Sequence, residues 1–329
     1  MRFLKSEAGA IILWLAASLF AAALLTPYLY DAGKTLAANA EVKDYPGIIE
    51  SIAESAGRAK PDRFFGRALL ISALALMPAL IRRVKNIPPR EDKNRYALRK
   101  LTWKNRLLHL SCGLLSGAVI LGALGLLLHL TGAATGKDDG LTFGKIFSKA
   151  LIPALGAGVI EELIFRGLLL GLWLRACSLW SAFIGSSLMF SFVHFLKPPP
   201  GSVIADPHSW HSGFEILGST LGHFSNPAFF VTEFATLALL GFVLAWCRTR
   251  TFSLWMPIGL HAGLVFALKC FSMSSNLNFD SPFHPWFIGG DLKSGILPLV
   301  ALCICFYVCI LFVRLLTRKA HETTSSEIL

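Results

Sequence analysis

Residues 150–172 of the chain read ALIPALGAGVIEELIFRGLLLGL. This segment is apolar throughout, except for Glu161, Glu162 and Arg166 near its middle. A run of roughly 17–25 apolar residues is long enough to cross a lipid bilayer as a helix. Because ionisable side chains inside such a helix are energetically costly, they indicate a functional site. The segment therefore predicts a transmembrane helix with chemistry at its centre.

The whole chain has the composition of a membrane protein. Of its 329 residues, 54% are hydrophobic and only 16% are charged, and the mean hydropathy is +0.59. A soluble chain carries about a quarter charged residues. This composition excludes an ordinary soluble domain, a disordered chain and a collagen-like protein.

Apolar segments of similar length recur along the sequence. They lie at 9–30, 64–81, 107–130, 150–172, 179–196, 228–247, 254–272 and 294–316. We therefore predict an all-α, polytopic membrane protein of about eight transmembrane helices. Residues 1–106 are expected to hold the first two spans, and residues 107–329 the other six.

The net charge of +11 is explained by membrane topology. With a cytoplasmic N-terminus, the segments predicted inside, together with Arg314 at the edge of the last span, carry 18 Lys and Arg residues and those predicted outside carry 10. This excess agrees with the positive-inside rule. We expect a protein of the cytoplasmic (inner) membrane with both termini in the cytoplasm and with lipids as partners. A nucleic-acid partner is not expected, because no basic stripe is interleaved with aromatic residues.

Three segments outside the predicted spans have a recognisable character. The outside segment 31–63 mixes charged residues with isoleucines, which predicts a short surface helix. The linker 82–106 contains ten Lys and Arg residues and Pro88-Pro89, so we expect a cytoplasmic linker whose charges are available to anionic lipids and are sufficiently explained as a topology anchor. The outside segment 197–227, with His208, His211 and His223, is interpreted as an irregular surface loop rather than a metal site.

The predicted fourth span places its ionisable groups on two helix faces. Glu162 and Arg166 are four residues apart and share a face, so they are expected to form an ion pair. Glu161 projects to a neighbouring face and is the candidate general base. Small residues beside these groups would let other helices approach closely; they are Gly156, Ala157, Gly158 and Gly167.

Two histidines bring further titratable groups into predicted spans. The fifth span ends with Phe190-Ser191-Phe192-Val193-His194-Phe195, and the seventh contains His261. Either histidine alone would be explained by a structural hydrogen bond. Two glutamates, one arginine and two histidines within three spans instead favour one polar site.

Three motifs in this region resemble those of the CPBP intramembrane proteases, also called the Abi family, which includes the CAAX prenyl endopeptidases. Glu161-Glu162-x-x-x-Arg166 looks like the family's EExxxR motif, and Phe190-x-x-x-His194 is similar to its FxxxH motif. His261 lies in a segment that resembles the last motif, HxxxN. The resemblance covers roughly residues 150–270.

The resemblance implies a glutamate-dependent endopeptidase that works within the bilayer without a metal. Glu161 would activate a water molecule, and His194 would assist the proton transfers. Glu162 and Arg166 would support the site, and His261 would help to stabilise the oxyanion. The implied substrate is a membrane-associated protein or peptide.

One position departs from the family pattern. The last motif has an Asn four residues after its histidine, whereas this chain has Val265, which cannot donate a hydrogen bond from its side chain. Loss of an oxyanion donor costs about 2.7–4 kcal/mol of barrier unless another group replaces it. Ser191, Asn226 and Lys269 are the replacements suggested by the sequence.

Three alternatives remain open from the sequence. Glu161, His194 and His261 could serve as three ligands of a zinc ion with one open position. A transporter could use intramembrane charges as binding groups, although no internal repeat supports this. A degenerate family member that binds a peptide or a lipid-linked partner without cutting it is favoured by Val265.

Overall fold

The computed structural model describes residues 6–43, 45–86, 96–137, 142–196, 204–225, 233–284 and 286–326. In chain order, its elements are α1 (Glu7–Ala40), α2 (Gly47–Gly57), α3 (Pro61–Lys85), α4 (Trp103–Leu130), β1 (Ala134–Gly136), α5 (Phe143–Glu162), a π-helical segment (Leu163–Leu169), α6 (Leu170–Ala176), α7 (Leu179–His194), α8 (Ser212–His223), α9 (Ala235–Thr251), α10 (Trp255–Ser274), β2 (Ser275–Leu277) and α11 (Ile296–Ser326). The elements group into two compact units. An N-terminal unit contains residues 1–88 and 193–227, and a larger unit contains residues 89–192 and 228–329.

The predicted all-α, multi-pass membrane fold is confirmed. Within the described part of the chain, five helices are long and apolar enough to cross a bilayer; they are α1, α3, α4, α10 and the first two thirds of α11 (Ile296–Leu316). The predicted span 150–172 falls within the continuous run of α5, the π segment and α6. The predicted spans 179–196 and 228–247 overlap the shorter helices α7 and α9. A total of eight spans therefore stays a prediction.

In the N-terminal unit, α1 packs along α3. Their apolar core is formed by Ala22 and Ala23 of α1, Phe65 and Ala68 of α3, and Ile216 of α8. Helix α1 begins at Ser6, whose hydroxyl accepts a hydrogen bond from the Gly9 amide at 3.1 Å. This is the usual way in which serine satisfies a free amide at a helix start.

The segments predicted to lie outside the membrane contain more helix than expected. Helix α2 confirms the short helix predicted within 31–63, and α1 continues ten residues past its predicted end at residue 30. The prediction of an irregular loop for 197–227 was wrong for residues 212–223, which form α8. Nine of the 25 residues of the basic linker, 87–95, lie outside the described residues.

The larger unit is built on a close contact between α4 and α10. A Cβ atom added at Gly117 would lie 2.5 Å from the carbonyl oxygen of Leu260 and 2.8 Å from the amide nitrogen of Leu264. One turn earlier, a Cβ at Gly113 would clash with the Met256 carbonyl oxygen. Only glycine allows two backbones to approach this closely. Since both residue numbers rise together, the two helices run parallel, as the predicted topology requires.

A two-stranded ladder joins the ends of these two helices. Strand β1 follows α4, strand β2 follows α10, and the two pair antiparallel with Thr135 opposite Asn276. His129 near the end of α4 adds a hydrogen bond to the Ser275 hydroxyl at 2.8 Å. The ladder is the only strand pairing within the described residues, so it does not alter the all-α class.

Candidate active site

Helix α5 and the π segment carry three of the predicted site residues. Glu161 and Glu162 are the last two residues of α5, and Arg166 lies within the π segment that follows directly. π-helical turns are rare and occur frequently at functional sites. The sequence pattern gave no signal for this change of helix type, because α- and π-turns have similar apolar spacing over a single turn.

Glu162 and Arg166 form the ion pair that was predicted from their spacing. Arg166 Nη1 donates to Glu162 Oε1 at 3.0 Å, and its Nη2 donates to the backbone oxygen of Gly241 in α9 at 3.1 Å. Glu162 is completely buried, and Arg166 is 2% exposed. A buried charge is tolerated only when it is paired and hydrogen-bonded, as this guanidinium is.

The ring of Phe190 in α7 lies at the centre of the site. The Arg166 guanidinium carbon is 4.2 Å from its centroid, a distance typical of a cation–π contact. The rings of Phe165 and His261 meet it edge-on, with centroids 5.1 and 5.9 Å away. Sequence reasoning used Phe190 only as the first residue of a motif, whereas the structure shows it in contact with two site residues, Arg166 and His261.

His261 of α10 lies between the two carboxylates. Its Nδ1 is 2.9 Å from Glu162 Oε1, and its Nε2 is 3.9 Å from Glu161 Oε2. An ionised carboxylate can only accept hydrogen bonds. Since Glu162 is also paired with Arg166, we assign the Nδ1 proton of His261 as the donor, which directs Nε2 toward Glu161.

The two neighbouring glutamates have different surroundings. The Glu162 side chain is fully enclosed, whereas 31% of the Glu161 side chain is exposed. Glu162 is held through one oxygen by both Arg166 and His261. Glu161 is therefore the more accessible of the two side chains, although its Oε2, which lies nearer to His261, is buried.

The packing of α5 against α10 brings the carboxylates to His261. A Cβ atom at Gly158 would lie 2.9 Å from the Ile258 carbonyl oxygen and 3.0 Å from Ala262 Cβ. Near the other end of the contact, the rings of Phe147 and Phe266 are 5.2 Å apart. The two helices are thus antiparallel. The close approach predicted at Gly158 is confirmed.

The other glycines predicted to allow close approach behave differently. An added Cβ at Gly156 would meet nothing within 4 Å, and one at Gly167 would make only ordinary contacts. For these two positions the prediction was wrong, because no other backbone approaches Gly156 within the described residues and Gly167, outside its own helical run, meets only a side chain, that of Leu254.

The structure thus brings together Glu161, Glu162, Arg166 and His261. His194 is the last residue of α7 and is half-buried. It belongs to the N-terminal unit, whereas the other four belong to the larger unit. A catalytic role for His194 therefore stays a prediction from the motif.

None of the suggested replacements for the family Asn is supported by the structure. The Ser191 hydroxyl already donates to the Phe234 backbone oxygen at 2.8 Å. Lys269 is exposed and lies about 12 Å along α10 from His261, at roughly 1.5 Å per residue. Asn226 lies outside the described residues. Val265 itself is half-buried, one turn beyond His261 on α10.

The geometry also bears on the alternative of a zinc site. In the described ranges, no three His, Cys, Asp or Glu residues are grouped closely enough to hold a metal ion. Whether the site depends on a metal is tested by chelation.

The comparisons with known proteins agree with the motifs. Residues 143–267 match the family described as type II CAAX prenyl endopeptidase Rce1-like. This range contains all five predicted site residues and confirms the resemblance to the CPBP and CAAX proteases. No curated protein and no solved structure matches the chain.

Proposed function

We propose that this protein is an intramembrane endopeptidase that cuts a membrane-associated protein or peptide with a glutamate-activated water molecule. The observation that carries the proposal is the asymmetric pair of glutamates on one helix. Glu162 is enclosed and bound by Arg166 and His261, while Glu161 is accessible and 3.9 Å from the same imidazole. The pair lies in the segment that matches a protease family.

Glu161 acts as the general base in this proposal. Its Oε2 is buried and lies 3.9 Å from His261 Nε2, which is too long for a hydrogen bond. A water molecule that enters between these two atoms would contact both at ordinary distances. Glu161 would take the proton of this water as its oxygen attacks the peptide carbonyl. Glu161 would then pass the proton to the leaving amine, so that the peptide bond breaks with no net loss of protons.

His261 and Glu162 prepare the site for this attack. Glu162 fixes the imidazole through Nδ1, so that Nε2 faces the reacting atoms. When Nε2 carries a proton, it can donate to the oxygen on which negative charge develops. We retain His194 as a second group that assists proton transfer, on the basis of its motif.

We further propose that the protein lies in the cytoplasmic membrane with both termini in the cytoplasm. Exposed tryptophans at the starts of α4, α7 and α10 are typical of a membrane–water interface, and the basic residues determine which face this is. Trp103, Trp180 and Trp255 are 71%, 63% and 37% exposed, and tryptophan is enriched at membrane–water interfaces. All three helix starts are predicted to face the cytoplasm, where the basic residues are concentrated.

The test is a peptidase assay on purified protein in nanodiscs, with a peptide library whose members are offered with and without a lipid anchor. Glu161→Gln is expected to lower turnover by about 10²–10⁴-fold, the usual contribution of a general base. Glu54→Gln is the matched control, because Glu54 is an exposed residue of α2. Activity should persist in EDTA. Loss on chelation with recovery on adding zinc would replace this mechanism with a metal-dependent one.

Val265 favours a second candidate function, in which the protein binds such a peptide without cutting it. One turn after His261, the chain lacks the amide that the family pattern has at that position. Retained binding of a peptide that no variant cleaves would support this alternative.

A further inference from the structure

The N-terminal unit contains an apolar groove between α1 and α3, remote in sequence from the candidate active site. Its volume is about 430 Å³, within the range of roughly 300–1,000 Å³ that is typical of small-molecule sites. The floor is formed by Ala10, Trp14 and Leu80, which are all buried. The groove is therefore a concave, apolar site between two helices that are each long and apolar enough to cross a bilayer.

The local sequence explains why the groove exists. Ala10 and Ala17 are seven residues apart, so they share one face of α1, and Ala79 lies opposite on α3. Three methyl side chains leave space between the two helices. The indole nitrogen of Trp14 donates to the Ala73 backbone oxygen at 3.1 Å, so the ring is held in place and its polar atom is satisfied.

One end of the groove is polar and positively charged. Arg82, Arg83 and Asn86, at the end of α3, line it there. Both arginines are exposed residues, which places two positive charges at this end of the groove. A guanidinium presents several donors in a plane, which suits the oxygens of a phosphate.

We propose that this groove binds one anionic phospholipid. An acyl chain would lie along Ala10, Trp14 and Leu80, and the phosphate would contact Arg82 and Arg83 at the rim. Basic pockets between transmembrane helices on the cytoplasmic side are suited to anionic head groups. In the proposed orientation, the end of α3 lies on that side. The apolar floor and the charged rim together match a lipid with a negative head.

The positions of Arg82 and Arg83 also have a simpler explanation, which is a general electrostatic attraction of basic residues to the membrane surface. Cations in the last turn of a helix interact favourably with its dipole and anchor the topology. Lys85 shares this last turn and is also exposed, but it does not line the groove. It is therefore the control that separates a shaped site from a general charge effect.

The experiment is native mass spectrometry of the full-length protein, titrated with phosphatidylglycerol or with phosphatidylcholine of the same acyl chains. The wild-type protein is expected to retain one molecule of phosphatidylglycerol in preference to phosphatidylcholine. The double variant Arg82→Gln/Arg83→Gln should weaken its retention about 30-fold, at about fivefold for each charge. Lys85→Gln should leave it unchanged. Ala79→Trp, which fills the groove and keeps both arginines, should abolish it.

Three results would overturn the proposal. They are equal retention of the two lipids by the wild type, equal weakening by Lys85→Gln and the arginine variant, and full retention in a folded Ala79→Trp. The thermal unfolding midpoint reports whether each variant is folded. If Ala79→Trp does not fold, the proposal is decided by comparing phosphatidylglycerol retention in Lys85→Gln with that in Arg82→Gln/Arg83→Gln.

Discussion

Nδ1 of His261 lies 2.9 Å from Oε1 of Glu162, although 99 residues separate the two in sequence. The contact joins α10 to the end of α5 and gives the buried carboxylate a second partner. Because Arg166 and His261 both bind the same oxygen of Glu162, we propose a positioning role for this glutamate. The neighbouring Glu161 remains the proposed general base.

Removing the buried arginine should destabilise the protein strongly. Arg166→Ala leaves the Glu162 charge without its cation in an enclosed site, which typically costs about 3–5 kcal/mol. Arg58→Ala breaks an ion pair of the same spacing with Glu54, but that pair is exposed and is worth about 1 kcal/mol or less. Thermal unfolding of the two variants in detergent gives the comparison. Similar losses would contradict the importance of the buried pair.

Replacing Phe190 should impair activity more than stability. Phe190→Leu removes the ring that contacts the Arg166 guanidinium and the His261 edge, and a desolvated cation–π contact is worth roughly 1–2 kcal/mol. Phe183→Leu is the matched control, because Phe183 is buried in the same helix but packs in a separate apolar cluster. We expect similar unfolding midpoints and a turnover about tenfold lower for Phe190→Leu. Equal turnover would argue against a role for the ring in the site.

Two glycine substitutions in α4 should have opposite effects. Gly117→Ala forces a methyl group against the backbone of α10, which we expect to cost about 1–3 kcal/mol as overpacking. An added Cβ at Gly122 meets nothing within 4 Å. Gly122→Ala should therefore stabilise the helix by up to about 1 kcal/mol. If the unfolding midpoint falls in both variants, the close contact of α4 with α10 does not explain the destabilisation by Gly117→Ala.

Restoring the family residue at position 265 tests the two proposed functions. If a missing donor limits hydrolysis, Val265→Asn should raise turnover by up to about 10²–10³-fold, the usual value of one oxyanion-hole donor. Val265→Leu keeps the position apolar and should give no increase. An active wild type that Val265→Asn leaves unchanged would show that another group already supplies the donor.

The ion pair of Glu162 with Arg166 was predictable because it depends on one helix. Four residues of separation suffice to place two side chains together, whatever the helix packs against. The spans at α1, α3, α4, α10 and α11 were predictable for a similar reason. Each is a long apolar run, and length and composition alone determine whether it can cross a bilayer.

The contacts between helices could not be predicted in the same way. That His261 meets Glu162 depends on the antiparallel register of α5 and α10, which the close approach at Gly158 sets. The glycines of α4 were not singled out, because a glycine on a buried face and one on a lipid-facing side look alike in a single sequence. Gly156 was misjudged for this reason.

The parallel contact of α4 with α10 has a consequence for how the protein responds to its membrane. Backbone touches backbone at Gly113 and Gly117, so no side chain separates the two helix backbones at these points. A helix adapts to a thicker or thinner bilayer mainly by tilting. These two helices must tilt as one body, and α5 is held to α10 at Gly158. The imidazole and its carboxylates should then keep their spacing across membranes of different thickness.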